Sequence, residues 1–308
     1  MAEIPATEGR MPFRGHQTWY RITGALDGVK PPLVCLHGGP GAAHDYIDRF
    51  RDLAATGRAV IHYDQLGCGQ STHLPDAPAG FWTVALFLEE LDALLAHVGI
   101  AGRYHLLGQS WGGMLAAEHA VRQPEGLRAL VIADSPASMH TWVAEANKLR
   151  EALPPDVQAT LLRHEADGTT DAEDYKTAVL AFYDRHVCRV RPWPDEVART
   201  FAQIEADPTV YQTMNGPSEF HVTGTLRDWT IEDRLERVRA PTLLISGRHD
   251  EATEACVRPF AEKIGNVRWE IFAESSHMPH VEETERCLQV IAAFLAEHDD
   301  RCGTAEGW

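Results

Sequence analysis

The chain has 308 residues, 44% of them hydrophobic and 24% charged, enough for a large packed core arranged as one domain with an insertion or as two ordinary domains. A net charge of -17, from 45 acidic against 28 basic residues, excludes the dense Lys and Arg clusters that nucleic acid or an anionic membrane surface demands of a partner. The acidic excess reads as a solubilising surface.

The N-terminal stretch MAEIPATEGRMPFRGHQTWYRI lacks the apolar segment of a signal peptide, and no run of about 20 apolar residues follows to span a membrane. Six cysteines, at 35, 68, 188, 256, 287 and 302, form no C-x-x-C pair. Their scatter suggests neither a zinc site nor a disulfide framework, and reduced thiols in a cytoplasmic protein are expected.

Short apolar runs then alternate with helical patterns. PLVCLHG (32–38), AVIHYD (59–64), YHLLGQS (104–110), LVIAD (130–134) and TLLISGRHD (242–250) are near-continuous hydrophobic segments, as expected of parallel strands buried on both faces. VALFLEELDALLAHVGI (84–100) places Leu88, Leu91, Leu95 and Val98 on one helical stripe, with Gly99 as a stop signal. Helices are also expected over MLAAEHAVRQP (114–124) and CLQVIAAFLAEH (287–298). This alternation predicts a mostly parallel, doubly wound sheet with helices on both faces.

The rhythm breaks after Pro136. From there the chain is helical, rich in charge and aromatics, and punctuated by PP, DGTTD, PWP and NGP until an apolar run returns at Pro241. The expected organisation is a core of residues 1–135 and 233–308, with 136–232 as a helical cap insertion. The tail DDRCGTAEGW is expected to be loose.

Ligands bind where loops converge at the ends of parallel strands, and three polar motifs fall at such ends. HGGPG (37–41) follows the first run, and its glycines allow close backbone approach. GQSWGG (108–113) reads as a nucleophile elbow, which makes Ser110 the candidate nucleophile. The N–H groups of Gly39 and Trp111 are then the candidate oxyanion donors. GRHDE (247–251) supplies Asp250 as the orienting acid, and SSHMPH (275–280) supplies His277 as the base. Nucleophile, acid and base occur in the chain order of the α/β-hydrolase scaffold.

His277 and His280 also form an H-x-x-H pair, but no carboxylate or cysteine set accompanies it at ligand spacing, so no metal is expected. His280 reads as a supporting or surface histidine, His249 carries no assigned chemistry, and Cys68 reads as a structural thiol in a turn.

HGGPG, DQLGCGQS (64–71), GQSWGG, MNGPSEF (214–220) and GRHDE together resemble the proline iminopeptidases of the α/β-hydrolase superfamily, from about Phe13 to about His298. HYDQLGCGQSTHLPDAPAGFW and RHVCRV look nearest to the L-prolinamide and L-amino-acid amide hydrolases. The resemblance implies an α/β-hydrolase fold and a serine amidase or aminopeptidase that works without cofactor or metal. It implies that Glu219, in the cap motif, and Glu251, after the triad acid, hold the free α-amine of a small amino-acid amide or short peptide. A cationic amine in a partly dry pocket needs such charge-assisted partners. Cap aromatics including Trp142, Tyr183, Tyr211, Phe220 and Trp229 are candidates for the pocket wall. Ser218 departs from the commoner asparagine at the pocket edge. A general carboxylesterase or lactonase, and a non-catalytic ligand receptor, are alternatives on the same scaffold. The acyl residue, the leaving group and the oligomeric state stay open at this level.

Overall fold

The computed structural model describes residues 4–299. The end of the polar tail from residue 300 onward, Cys302 within it, and the first three residues lie outside the described part.

Eight strands form one sheet: β1 (Ala6–Phe13), β2 (His16–Thr23), β3 (Leu33–Leu36), β4 (Val60–Tyr63), β5 (Tyr104–Gln109), β6 (Leu127–Ala133), β7 (Thr242–Gly247) and β8 (Val267–Phe272). Their spatial order is β1-β2-β4-β3-β5-β6-β7-β8. From β4 to β8 all neighbours run parallel, as the apolar runs predict. β1 and β2 form an antiparallel hairpin that joins the sheet through β4. This hairpin carries no buried-strand signal because β1 is an edge whose first residues face solvent. Its two-residue turn is Arg14-Gly15, both at positive φ (49° and 84°), the twist that suits a tight hairpin.

Alternation along each central strand builds two cores, one per face. Val34, Leu36, Leu106, Leu130, Ile132 and Leu244 pack on one side with α1 (Val84–His97) and α2 (Trp111–Ala120). Leu33, Cys35, Leu107, Val131, Leu243 and Ile245 pack on the other with a 3₁₀ segment (His44–Thr56) and the C-terminal helix Thr284–Ala296.

The buried face of α1 is centred on Phe87, Glu90, Leu91, Leu94 and Leu95, so Leu88 and Val98 sit at its margin rather than on its stripe. Glu90 turns inward because its carboxylate accepts the Leu66 N–H at 2.9 Å and the Thr18 hydroxyl, and burial raises its pKa to about 7. Gly99 follows the helix at φ 76°, in the stop position that its sequence pattern predicts. The helix predicted from residue 114 begins earlier, at Trp111, because Ser110 closes its first turn by accepting the N–H groups of Gly113 and Met114.

Between β6 and β7 the described chain adds no strand to the sheet. It forms α3 (Met139–Arg150), α4 (Pro155–Asp167), α5 (Glu173–His186), α6 (Asp195–Ala206) and α7 (Thr209–Met214). Three further helices follow: α8 (Glu254–Lys263), the single turn α9 (Pro279–Glu282) and α10 (Thr284–Ala296). Among the described residues no helix is long and apolar enough to cross a membrane.

Candidate active site

Ser110 sits at the tip of the β5–α2 turn with φ 57° and ψ -125°, a conformation that L-residues rarely adopt. Close packing explains the glycines around it. A Cβ at Gly108 would lie 2.0 Å from the Gly112 carbonyl oxygen, one at Gly112 2.2 Å from that of Leu36, and one at Gly113 1.9 Å from Ser135 Oγ. The turn is so compressed against β3 and β6 that no side chain fits there. Anchored by its N–H on the Ala133 carbonyl at 2.9 Å and by Ser135 Oγ on its own carbonyl at 2.8 Å, Ser110 is aimed off the sheet's edge.

His277 and Asp250 arrive from the loops after β8 and β7. His277 Nδ1 donates to Asp250 Oδ1 at 2.6 Å, and the Ala252 N–H donates to the same oxygen at 2.8 Å. An ionised carboxylate only accepts, so Nδ1 carries the hydrogen and Nε2 is left as the basic nitrogen. Burial opposes the imidazolium, but the Asp250 charge and hydrogen bond outweigh it and hold the His277 pKa above its ordinary value. Ser110 and His277 line one cavity, together with Gly39, Glu219 and Glu251. Another cavity meets it at Ser110, Gly39 and Glu219, and Trp111 lines it. All seven candidate residues therefore converge on one place, except that Asp250 stands behind His277 rather than in the cavity wall.

The candidate oxyanion donors differ in origin. Trp111 opens α2, where a helix leaves N–H groups without intrahelical acceptors. Gly39 lies in the loop after β3 at φ 106°. That loop is held from beneath: the Gly38 N–H donates to the Tyr46 hydroxyl at 2.7 Å, and Tyr46 donates in turn to Gln109 Oε1. His37 accepts the Gln65 N–H on Nε2 at 2.9 Å, and the Trp111 indole donates to Gln65 Oε1 at 2.8 Å.

Glu219 and Glu251 face the cavity in different states of satisfaction. Glu219 Oε1 accepts the Tyr211 hydroxyl at 2.6 Å. Glu251 is fully buried, neither of its carboxylate oxygens has a hydrogen-bond partner, and Oε1 lies 3.8 Å from His277 Nε2. Burial raises both pKa values; for Glu251 the charges of Glu219 and Asp250 push further the same way, whereas Tyr211 and His277 restrain Glu219. A buried carboxyl with two idle oxygens is an acceptor awaiting a donor.

Asp134 carries no motif signal, yet it belongs to the site's support. It follows β6 at φ 51°, its Oδ1 accepts the Gly247 N–H at 3.2 Å, and burial followed by the neighbouring Asp250 raises its pKa well above the ordinary value. Oδ2 of Asp134 and Oδ2 of Asp250 are both buried without a hydrogen-bond partner, and the neighbouring Asp250 favours the protonated form of Asp134. Tyr46 and Gln109 are likewise invisible as motifs, because their role is set by contacts between distant segments.

Other candidates resolve differently. His280 is not a surface residue. It is buried, its Nε2 donates to the Tyr46 carbonyl at 3.0 Å, and burial lowers its pKa to about 3. Trp142 and Tyr211 line the cavities, and Tyr183 adjoins them by accepting the Glu219 N–H at 3.4 Å. Phe220 packs instead against Phe182 and under Arg150, and Trp229 donates to Glu118 at 2.9 Å, so neither reaches the wall. Ser218 is buried beside the Tyr175 hydroxyl at 3.2 Å, away from the pocket edge. Cys68 is a buried free thiol whose pKa burial pushes far up, which leaves it unreactive. Among the described residues no group of three or more His, Cys, Asp or Glu is placed to hold a metal ion.

Known proteins place the chain in a family. A family profile described as an α/β hydrolase fold matches residues 31–284. A proline iminopeptidase from Lactobacillus helveticus is 36% identical over 296 residues, which is 95% of this chain and 99% of that one. The crystal structure of a proline iminopeptidase from Mycobacterium smegmatis superposes with a TM-score of 0.88 at 53% identity, covering 95% of this chain and 99% of that one. The crystal structure of VinJ superposes with a TM-score of 0.93 at 56% identity and the same coverage. Full-length likeness to hydrolases, over the same fold, makes this chain a member of the proline iminopeptidase family of α/β hydrolases.

Proposed function

We propose that the chain is a serine amidase that releases a small N-terminal L-residue, prolyl foremost, from an amide or short peptide whose α-amine is free. The observation that carries this reading is a cavity lined by Ser110, by His277 with Asp250 paired behind it, and by two carboxyls, one of them with no partner. An esterase needs the first three residues. Only a substrate with a cationic amine needs the other two.

In this mechanism Ser110 Oγ bonds to the amide carbon as its proton passes to His277 Nε2, and Asp250 stabilises the resulting imidazolium. The Gly39 and Trp111 N–H groups take the oxyanion, each contributing about 3 kcal/mol in the transition state. The C–N bond then breaks as Nε2 returns the proton to the departing nitrogen. Water adds to the aminoacyl ester, gives its proton to Nε2, and the acid leaves as Ser110 regains its hydrogen. Glu219 and Glu251 register the amine, so that cleavage follows the first residue.

Residues 136–232 serve as the cap over a core of 1–135 and 233–308, a division supported by Trp142, Tyr211 and Glu219 reaching the cavities from that segment. The five described cysteines are buried free thiols, which suits a cytoplasmic setting. A fluorophosphonate probe tests the reading directly. Wild-type protein should be labelled once, with parallel loss of L-prolinamide turnover, and Ser110→Ala should show neither label nor turnover. Unlabelled wild-type protein, or an active Ser110→Ala variant, would falsify it.

A further inference from the structure

The two cavities that meet at Ser110 differ in character. The first is walled by Trp111, Met114, Met139, Trp142 and Leu226 and has no titratable group beyond Glu219. The second holds His277 and Glu251 as well as Glu219, and its lining also includes Tyr46, Gln109, Tyr211, Val187, Phe201 and Ile204. The base must hand its proton to the departing nitrogen, so the leaving group exits on the His277 side, into the second cavity. The first cavity then takes the apolar side chain of the residue being released, while the amine turns to the carboxyls.

Beyond those carboxyls, the Tyr46, Gln109 and Tyr211 polar groups are already engaged in hydrogen bonds, and the α6 side of the wall is apolar apart from the Thr200 hydroxyl. Thr200, Phe201 and Ile204 come from α6, and Val187 follows α5. Neither lining includes a Lys or Arg among the described residues. The cation carried by α6 nearby, Arg199, is paired with Asp45 at 2.8 Å, with its side chain 59% exposed. A carboxylate seated in this cavity would face Glu219 and Glu251 with no counter-charge, and burying an unpaired anion there is costly.

Resting on the amidase reading above, we infer that the preferred leaving group is an uncharged apolar amine, such as an alkylamine or a carboxyl-blocked apolar residue. Ammonia leaves the α6 wall unfilled, and a free amino acid brings a carboxylate that the cavity cannot match. The wall formed by Phe201 and Ile204 is thus a specificity element for the leaving side.

The test is a kcat/KM series on one acyl group, L-prolyl or L-alanyl, whichever amide turns over faster. Its members are the simple amide, the butylamide, the leucinamide and the free leucine dipeptide. The butylamide should exceed the simple amide by about ten-fold or more, given the apolar area its four carbons bury. The leucinamide should exceed the dipeptide acid by a similar factor, since the two differ only in that carboxylate. Phe201→Ala and Ile204→Ala should each lower the butylamide-to-amide ratio, a quantity independent of how much protein is folded. A dipeptide acid cleaved as well as its amide, or a flat alkyl series, overturns the inference while leaving the amidase reading intact. No Ser110-dependent turnover of any member overturns both.

Discussion

Gln109 Nε2 donates a 2.8 Å hydrogen bond to the backbone carbonyl of His277, so the residue before Ser110 holds the loop that carries His277. The same amide accepts the Tyr46 hydroxyl, which accepts the Gly38 N–H next to the candidate oxyanion donor Gly39. One side chain thereby ties three loops together. Replacing it with leucine keeps the volume and removes both bonds. We predict that Gln109→Leu lowers kcat by roughly 10- to 100-fold with little change in KM, from the loss of about 1–3 kcal/mol of positioning. Steady-state kinetics beside a melting curve decide this, and an unaltered kcat in a folded variant counts against it.

The proposed amine anchor should be separable from the proposed acyl-transfer residues. Glu219→Gln and Glu251→Gln should each cut kcat/KM for free-amine amides by about 100-fold, as expected for a lost charge-assisted bond. An N-acylated ester, which offers no ammonium, should be hardly affected. Equal losses on both substrates would remove the anchoring role.

Protonation of His277 should govern the acid limb of activity. An imidazolium cannot accept the Ser110 proton, so kcat/KM rises with pH through the His277 pKa, which Asp250 holds above its ordinary value despite burial. In Asp250→Asn the burial that lowers that pKa remains while the raising charge is gone. The limb should therefore move to lower pH, with kcat about 10⁴-fold down because the tautomer is no longer fixed. A pH–rate profile of both proteins reads the shift, and an unmoved limb would contradict the assignment.

Asp134 makes a stability prediction of definite sign. Its folded pKa is raised well above the unfolded value of about 3.9, so its contribution is fully present below that value and is lost as pH rises toward the folded pKa. Asp134→Asn cannot ionise, and its amide can still donate to Asp250. The variant should gain melting temperature over wild type at pH 8–9, lose that advantage near pH 4, and retain activity. Parallel melting curves for wild type and Asp134→Asn at every pH would refute the raised Asp134 pKa.

Crowding at the elbow sets a limit on substitution. Gly112→Ala would drive a Cβ to 2.2 Å from the Leu36 carbonyl oxygen, a backbone atom that cannot swing aside. A destabilisation of about 3 kcal/mol or more is expected from such overpacking, measurable by urea unfolding. A variant as stable as wild type would mean that β3 and α2 can separate without penalty.

Sequence alone determined the parallel strands, the turn at Ser110 and the order of Ser110, Asp250 and His277. Each of these is written locally, in continuous apolar runs, in glycines where no side chain fits, and in polar residues just past strand ends. The edge hairpin β1–β2 escaped because an edge has one solvated side and needs no apolar run. The inward turn of Glu90 escaped because its partners, Thr18 and Leu66, lie on other segments. Only the tertiary structure could decide the links from Gln109 to His277 and from Asp134 to Asp250, the idle oxygens of Glu251, and which cap aromatics reach the cavity. All of these depend on distances between residues far apart in the chain, and on burial, which changes a carboxyl's chemistry without changing its letter in the sequence.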